Sequence, residues 1–417
     1  MTKYKLSAIA CIFILTSCSN LLTWHLDMGV HKTNKQTVEI SSNSPDKKPR
    51  PQRSINVDIK WNNSVNSGIS GNSGYLYPAV VNDIMYTVDS NGLLSALSII
   101  DGKILWNFST DVEITSGLSL VNNKICLGTT NAKLLCYKID KLSSNKHIPL
   151  ISNLSDAISF SDYKADIDIQ LVTEAASPVQ VIDNYLLIKL DNDDLYLVNP
   201  VTSETIWKST SSNIALRSKG ASMPIIVDGS VYIARDNGSI SSNNSSDGTL
   251  NWFTIISSRS GRNDLESQRD AEMNITIKND RLYYGHFQGE LNSLNKSTGQ
   301  IIWSSPFSFI NDISIKNNSI YGSTTDNHLV SIDQASGFLN WKSPKSDEEL
   351  AQPFLIDDIV MVFTTKGTLV GFTEDGTLIY EKKFDFDIHP QTKFIVKKNK
   401  LYFQTRDGVI VHLLITT

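Results

Sequence analysis

The sequence predicts an all-β chain, an eight-bladed β-propeller of four-stranded antiparallel blades whose ring is closed by an N-terminal strand in the last blade. Three observations carry this. A glycine followed four residues later by a tryptophan recurs as Gly102–Trp106, Gly248–Trp252, Gly299–Trp303 and Gly337–Trp341. Each copy ends a strand–turn–strand pattern that repeats at roughly 40–50 residues, the period of propeller blades. A lone strand ending in Trp61 precedes the first full repeat, and the last repeat stops before its own final strand.

Each repeat reads as an apolar strand, a turn, two alternating strands separated by a Gly or Asn turn, and a closing strand that ends in Trp. The first, Tyr75 to Trp106, has turns at Asn82-Asp83, Asn91-Gly92 and Asp101-Gly102. The second, around Val121 to Lys138, has lost its tryptophan and is followed by a polar insertion to about Ala165. The third ends at Trp207 with Ser203 in place of the glycine. The fourth, fifth and sixth end at Trp252, Trp303 and Trp341, and the seventh keeps the spacing with Gly376 and Tyr380. The eighth, Phe394 to Ile415, lacks an outer strand, which Ile55 to Trp61 can supply. Closing the ring in this way removes exposed edges. The glycine allows a tight turn with positive φ. The tryptophan four residues on can lie flat between adjacent blades, so the rings read as core rather than as stacking platforms for a ligand.

The N-terminus reads as a targeting segment. Lys3 and Lys5 precede the apolar run Leu6 to Leu15, which is too short to span a bilayer. Leu15-Thr16-Ser17-Cys18 looks like a bacterial lipobox. That similarity implies a signal peptide over 1–17 and lipidation at Cys18, and Ser19 in the following position favours the outer membrane. Residues 18–54, rich in Ser, Asn, Pro and Lys, read as a flexible tether, and 55–417 as the propeller. With 38 basic and 43 acidic residues the balance is mildly acidic, and no basic stripe supports nucleic-acid binding. Cys126 and Cys136 flank the turn Thr130 to Lys133 in one hairpin. An oxidising compartment would bridge them if they face each other. The alternative is two small buried residues, since Cys136 stands where Ala96 stands in the first repeat.

At these residues the repeats resemble the PQQ-type β-propeller family, and within it the lipoproteins of the outer-membrane β-barrel assembly machinery. Two stretches carry the closer similarity. One follows Trp207 and contains Ile214, Leu216 and Arg217; the other follows Trp252 and contains Asp270 and Glu272. The resemblance implies that Ile214, Leu216, Arg217, Asp270 and Glu272 contact a BamA-like barrel-assembly protein, alongside other members of its complex and nascent outer-membrane proteins. It also implies a non-catalytic scaffold, anchored by lipid to the outer membrane and facing the periplasm. Where the family pattern has a second aspartate this chain has Glu272, and Ser218-Lys219 lengthens the first stretch. Both stretches connect consecutive blades on one face, and long loops on a rigid ring carry function. The plainer reading is a pair of solvated polar loops.

Two further function classes remain open: a quinoprotein dehydrogenase, and an envelope propeller that binds peptide or carbohydrate. The first lacks vicinal cysteines and any inserted cluster of metal-ligating spacing. Asp191-Asn192-Asp193-Asp194 reads as a β-turn between two strands rather than a metal loop. His286, His328, His389 and His412 fall at unrelated repeat positions. No cofactor or metal is expected, and no enzymatic activity.

Overall fold

Eight four-stranded sheets follow one another along the chain in the computed structural model, which describes residues 54–68, 76–144, 163–211, 222–256, 273–285, 289–309 and 311–417. Seven sheets use four consecutive strands. In the eighth, Asn56–Ser64 pairs antiparallel with Val409–Thr416, so both ends of the propeller meet in one blade. The expected eight blades and the expected closure are therefore both present. The first hairpin of each blade turns on two residues; in blades 1 and 2 both have positive φ, at Asn82-Asp83 and Asn122-Asn123, the geometry that matches strand twist. Among the described residues the one helix, Ile139–Ser144, is far too short to cross a membrane.

A three-residue layer recurs across the blades. A tyrosine on the second strand faces a small residue on the third, which faces the tryptophan on the fourth. It appears as Tyr86–Ala96–Trp106, Tyr232–Ser242–Trp252, Tyr283–Ser293–Trp303 and Tyr321–Ser331–Trp341. The small middle residue lets the two rings approach to about 6 Å between centroids. Blade 8 builds the layer from both ends of the chain, with Tyr402, His412 and Trp61.

Trp207, Trp252 and Trp303 also reach the next blade. The indole N–H of Trp207 donates to Ser245 O at 3.0 Å, that of Trp252 to Lys296 O at 3.0 Å, and that of Trp303 to Gln334 O at 3.3 Å. The next blade's glycine lies directly under the ring. A Cβ on Gly299, whose φ is +71°, would stand 2.3 Å from the Trp252 ring, and Gly248, Gly337 and Gly376 face Trp207, Trp303 and Trp341 in the same way. Trp61 lies on Gly102 and donates to Ile99 O, so the seam obeys the rule of the other joints. The glycine thus serves the preceding blade's tryptophan as well as its own turn.

The two irregular copies explain each other. Blade 2 places Ile167 opposite Cys136, in the tryptophan position, and so presents no indole to blade 3. Blade 3 accordingly carries Ser203 in place of glycine, at φ +61°. In the middle of blade 2, Cys126 and Cys136 are direct cross-strand partners joined by a disulfide, with S–S 2.09 Å and Cα–Cα 4.1 Å. The Ile139–Ser144 helix replaces the turn on which Trp106 would otherwise lie, and Ile139 and Leu142 pack in the core cluster that includes that ring.

Candidate partner-binding site

Ile214, Leu216 and Arg217 fall in 212–221, Asp270 and Glu272 in 257–272, and Cys18 in 1–53; all lie outside the described residues. The structure describes what holds the ends of the two connections. The first leaves blade 3 after the outer strand Thr205–Ser209 and enters blade 4 at the inner strand Ile225–Val227. The second leaves blade 4 after Leu250–Ile255 and enters blade 5 at Thr276–Lys278. Consecutive blades thus carry both connections, each running from an outer strand to the next inner strand.

The first connection is held at both ends by a buried charged cluster. At its start, Ser211 N–H donates to Asp194 Oδ1 at 2.9 Å. At its end, Ser222 O accepts from Lys189 Nζ at 3.3 Å. Lys189 is fully buried and pairs with Asp193 at 3.3 Å. Asp193 accepts Asp236 N–H through its carboxylate and Arg235 through its backbone carbonyl, at 2.8 and 2.6 Å. A buried pair of this kind is held by its satisfied hydrogen bonds, and removing one partner strands a charge. The stretch Asp191 to Asp194 is a β-turn, as its position between two strands implies. Asp193 and Asp194 engage protein donors, and among the described residues no group of three or more acidic, histidine or cysteine side chains could hold a metal ion.

The two connections meet where they enter the inner strands. Met223 N–H donates to Asn274 Oδ1 at 2.8 Å. Asn274 in turn donates its backbone N–H to Asp312 Oδ1 at 2.8 Å and its side-chain amide to Asp312 Oδ2 at 3.0 Å. Lys393 Nζ completes the carboxylate at 2.9 Å from Oδ2. Burial raises the Asp312 pKa, but the Lys393 ammonium and the Asn274 hydrogen bonds outweigh it and hold the carboxyl below its ordinary range. These groups stand two residues before the inner strands of blades 4, 5, 6 and 8. They border a cavity of about 650 Å³ along the inner strands, which Gln180 and Gln352 also line.

The chain is similar to several known proteins. A family model described as Outer membrane protein assembly factor BamB matches residues 168–343, which include both connections. The BamB of Escherichia coli is 24% identical over 374 residues, covering 87% of this chain and 90% of that protein. The chain is thus similar to the BamB propellers. The BamB of Yersinia pestis is 26% identical over 267 residues, and that match spans 63% of this chain and 65% of that protein. The crystal structure of BamB from Moraxella catarrhalis superposes with a TM-score of 0.72 at 17% identity, covering 86% of this chain and 99% of that one. Seen beside a BamB-like ring, the expected fold stands in full.

Sequence reasoning missed the groups that hold the connections. Lys189 had a usable signal: the other blades place Val88, Gly128, Ala234, Gly285, Ser323, Phe363 and Gln404 at its position. A single lysine among uncharged residues marks a site that needs a partner. Asn274, Asp312 and Lys393 occupy one repeat position as well, where Gly117 and Pro178 have no polar side chain.

Proposed function

We propose that this chain is a non-catalytic scaffold lipoprotein of outer-membrane protein assembly. It is tethered by lipid at Cys18, faces the periplasm and holds a BamA-like protein through the two connections after Trp207 and Trp252. Relatives from Yersinia pestis and Escherichia coli are outer membrane protein assembly factors, which supports the class of function. The observation that carries the site is the hydrogen bond from Met223 N–H to Asn274 Oδ1. It joins the ends of the two connections that bear Ile214, Leu216, Arg217, Asp270 and Glu272, so these residues can act as one surface. An arginine beside an aliphatic residue, with acidic groups from the neighbouring connection, suits a protein interface with an apolar centre and a charged surround. The rigid ring would present that surface while the tether permits reach from the membrane.

The test is co-purification from detergent-solubilised membranes. A Leu216→Glu, Arg217→Ala double variant is expected to reach wild-type abundance and lose the barrel-assembly protein. Co-purification at wild-type yield would show that these residues do not form the contact. Cys18→Ser is expected to leave the chain in the soluble fraction after cell breakage; retention in the membrane would contradict lipid anchoring.

A further inference from the structure

The first hairpin of blade 8 departs from the rule of the other seven. Its leading turn residue lies in the left-handed region in every blade, and the other blades use Asn or Asp there, as at Asn82, Asn279 and Asp357. Those side chains tolerate such a backbone better than other non-glycine residues. Blade 8 has Lys398, at φ +57°. The turn itself gives no reason for a lysine. Lys397, Lys398 and Lys400 are all exposed around it, and among the described residues none of the three forms an ion pair.

The same face carries an apolar tip. Ile100 is 75% exposed in the last turn of blade 1, where blades 4 and 5 have Ser246 and Ser297. That turn rests on blade 8: the Trp61 indole donates to Ile99 O at 3.3 Å and the Asn63 amide to Gly102 O at 2.9 Å. Asp58 and Asp101 are offset by Lys60 at 3.5 Å and Lys103 at 3.2 Å. Of the side-chain carboxylates in the turns of blade 1 on this face, Asp83 is left, one acid against three unpaired lysines; Asp357 and Asp358 of blade 7 bound the patch on the other side. The outer strand of blade 8 begins here, with Asn56 opposite Thr416. The chain before Ser54 therefore joins the propeller on this face, and it closes on Lys47, Lys48, Arg50 and Arg53. A segment of the same sign does not neutralise the lysines, whereas an anionic surface attracts both.

We propose that Lys397, Lys398 and Lys400, with Ile100 as an apolar tip, form a docking face for the anionic phospholipid headgroups of a bilayer. Lysines beside a membrane are drawn to its anionic lipids, and an apolar side chain among them enters the headgroup layer. The inner strand Ile395–Lys397 runs from Lys393, which bonds Asp312 at the other face, to this one. Docking here therefore leaves the face of Met223 and Asn274 free. The docking face goes beyond the scaffold role and depends neither on lipid at Cys18 nor on the contact residues of the two connections.

The test is flotation with vesicles of the purified chain from Ser19 onward, which keeps the whole propeller and the segment before it but carries no acyl anchor. Vesicles of phosphatidylethanolamine with phosphatidylglycerol are compared with vesicles of phosphatidylcholine alone. Binding to the anionic vesicles is expected, falling at least tenfold in about 0.5 M salt. The triple variant Lys397→Ser, Lys398→Asn, Lys400→Ser is expected to bind them at least tenfold more weakly. It should melt no lower than the wild type, because asparagine suits the turn. Ile100→Ser is expected to weaken binding about threefold while leaving its salt dependence in place. Lys208→Ser with Lys345→Ser and Lys366→Ser removes the same charge from elsewhere on the ring and is expected to stay within twofold of the wild type. Equal binding by the triple variant and the wild type overturns the proposal. So does equal loss in the control variant, which would reduce the effect to net charge, and so does equal binding to the neutral vesicles. No change on Ile100→Ser overturns the apolar tip. Lysine-dependent capture on immobilised polyglutamate with none on vesicles would overturn the lipid assignment and give the face to an acidic protein.

Discussion

Blades 2 and 5 meet the same packing requirement with different chemistry. Blade 5 fills its middle layer with Tyr283, Ser293 and Trp303, and sends the indole onto Gly337 of blade 6. Blade 2 fills the layer with a Cys126–Cys136 disulfide and Ile167, and sends nothing onto blade 3. The consequence appears one blade later, where Ser203 stands in place of glycine. A large aromatic ring between blades and the bare glycine beneath it are one device with two halves. When one half is lost the other is free to change. Such paired losses show that the repeated glycine is kept by the neighbouring ring as well as by its own turn.

The comparison can be broken most directly at an intact joint. Gly299→Ala would place a methyl carbon 2.3 Å from the Trp252 ring at a φ of +71°. Overpacking and left-handed backbone strain together are expected to cost about 3 kcal/mol or more. Chemical denaturation of the purified protein measures it, and a loss below about 1 kcal/mol would show that the ring yields easily. The disulfide comes next. Cys126→Ala with Cys136→Ala opens a short loop in a blade that presents no indole to its successor, and is expected to cost about 2–3 kcal/mol. A melting temperature insensitive to reductant in the wild-type protein would contradict this.

The seam of blade 8 offers a third contrast, because its middle residue is a histidine where blade 5 has Ser293. His412 is buried, its ring stacked 4.4 Å from that of Tyr402, and neither ring nitrogen has a hydrogen-bond partner. Burial, reinforced by Lys400 and Lys60, lowers its pKa from 6.5 to about 4. A depressed histidine pKa means that the unfolded chain takes up the proton first. Stability is therefore complete above pH 6.5 and declines as the pH falls towards 4, by an amount on the order of 2 kcal/mol. His412→Leu is expected to flatten that decline in melts between pH 7 and 4.5; an unchanged slope would assign the acid sensitivity elsewhere. The smallest effect is at the vacated joint. Ser203→Gly relieves a left-handed serine with no ring above it and is expected to stabilise by up to about 1 kcal/mol. Destabilisation there would mean that the serine side chain has a packing role the blade comparison does not provide.

Much of the ring was legible because its determinants are local. The two-residue turns, the alternation of the strands and the Gly-to-Trp spacing each lie within one repeat, and Trp61 announced the closing strand. Two things were hidden for a common reason. The stacking of Trp252 on Gly299 joins one repeat to the next, and the Asn274–Asp312–Lys393 tie joins positions 38 and 81 residues apart. Reading along a repeat reveals neither; reading down one repeat position across all blades would have found the odd lysine and the odd aspartate. The expected contact residues themselves came from family resemblance, since polar loops carry no periodic signal and their role depends on a partner's surface. Their supporting groups, by contrast, are set by physics within the chain: buried charges need partners, and those partners lie at the ends of the two connections.

The central claim is that two connections on neighbouring blades form one binding surface while the remaining joints serve the ring. Site-specific photocrosslinking in intact cells tests it most directly, with the crosslinking residue placed in turn at Leu216, Asp270 and, in the blade 2 turn, Asn131. The account predicts that Leu216 and Asp270 capture the same membrane protein, identified by mass as the barrel-assembly component, and that Asn131 captures none of it. Capture of different proteins at the first two positions, or equal capture of that component at Asn131, would contradict it.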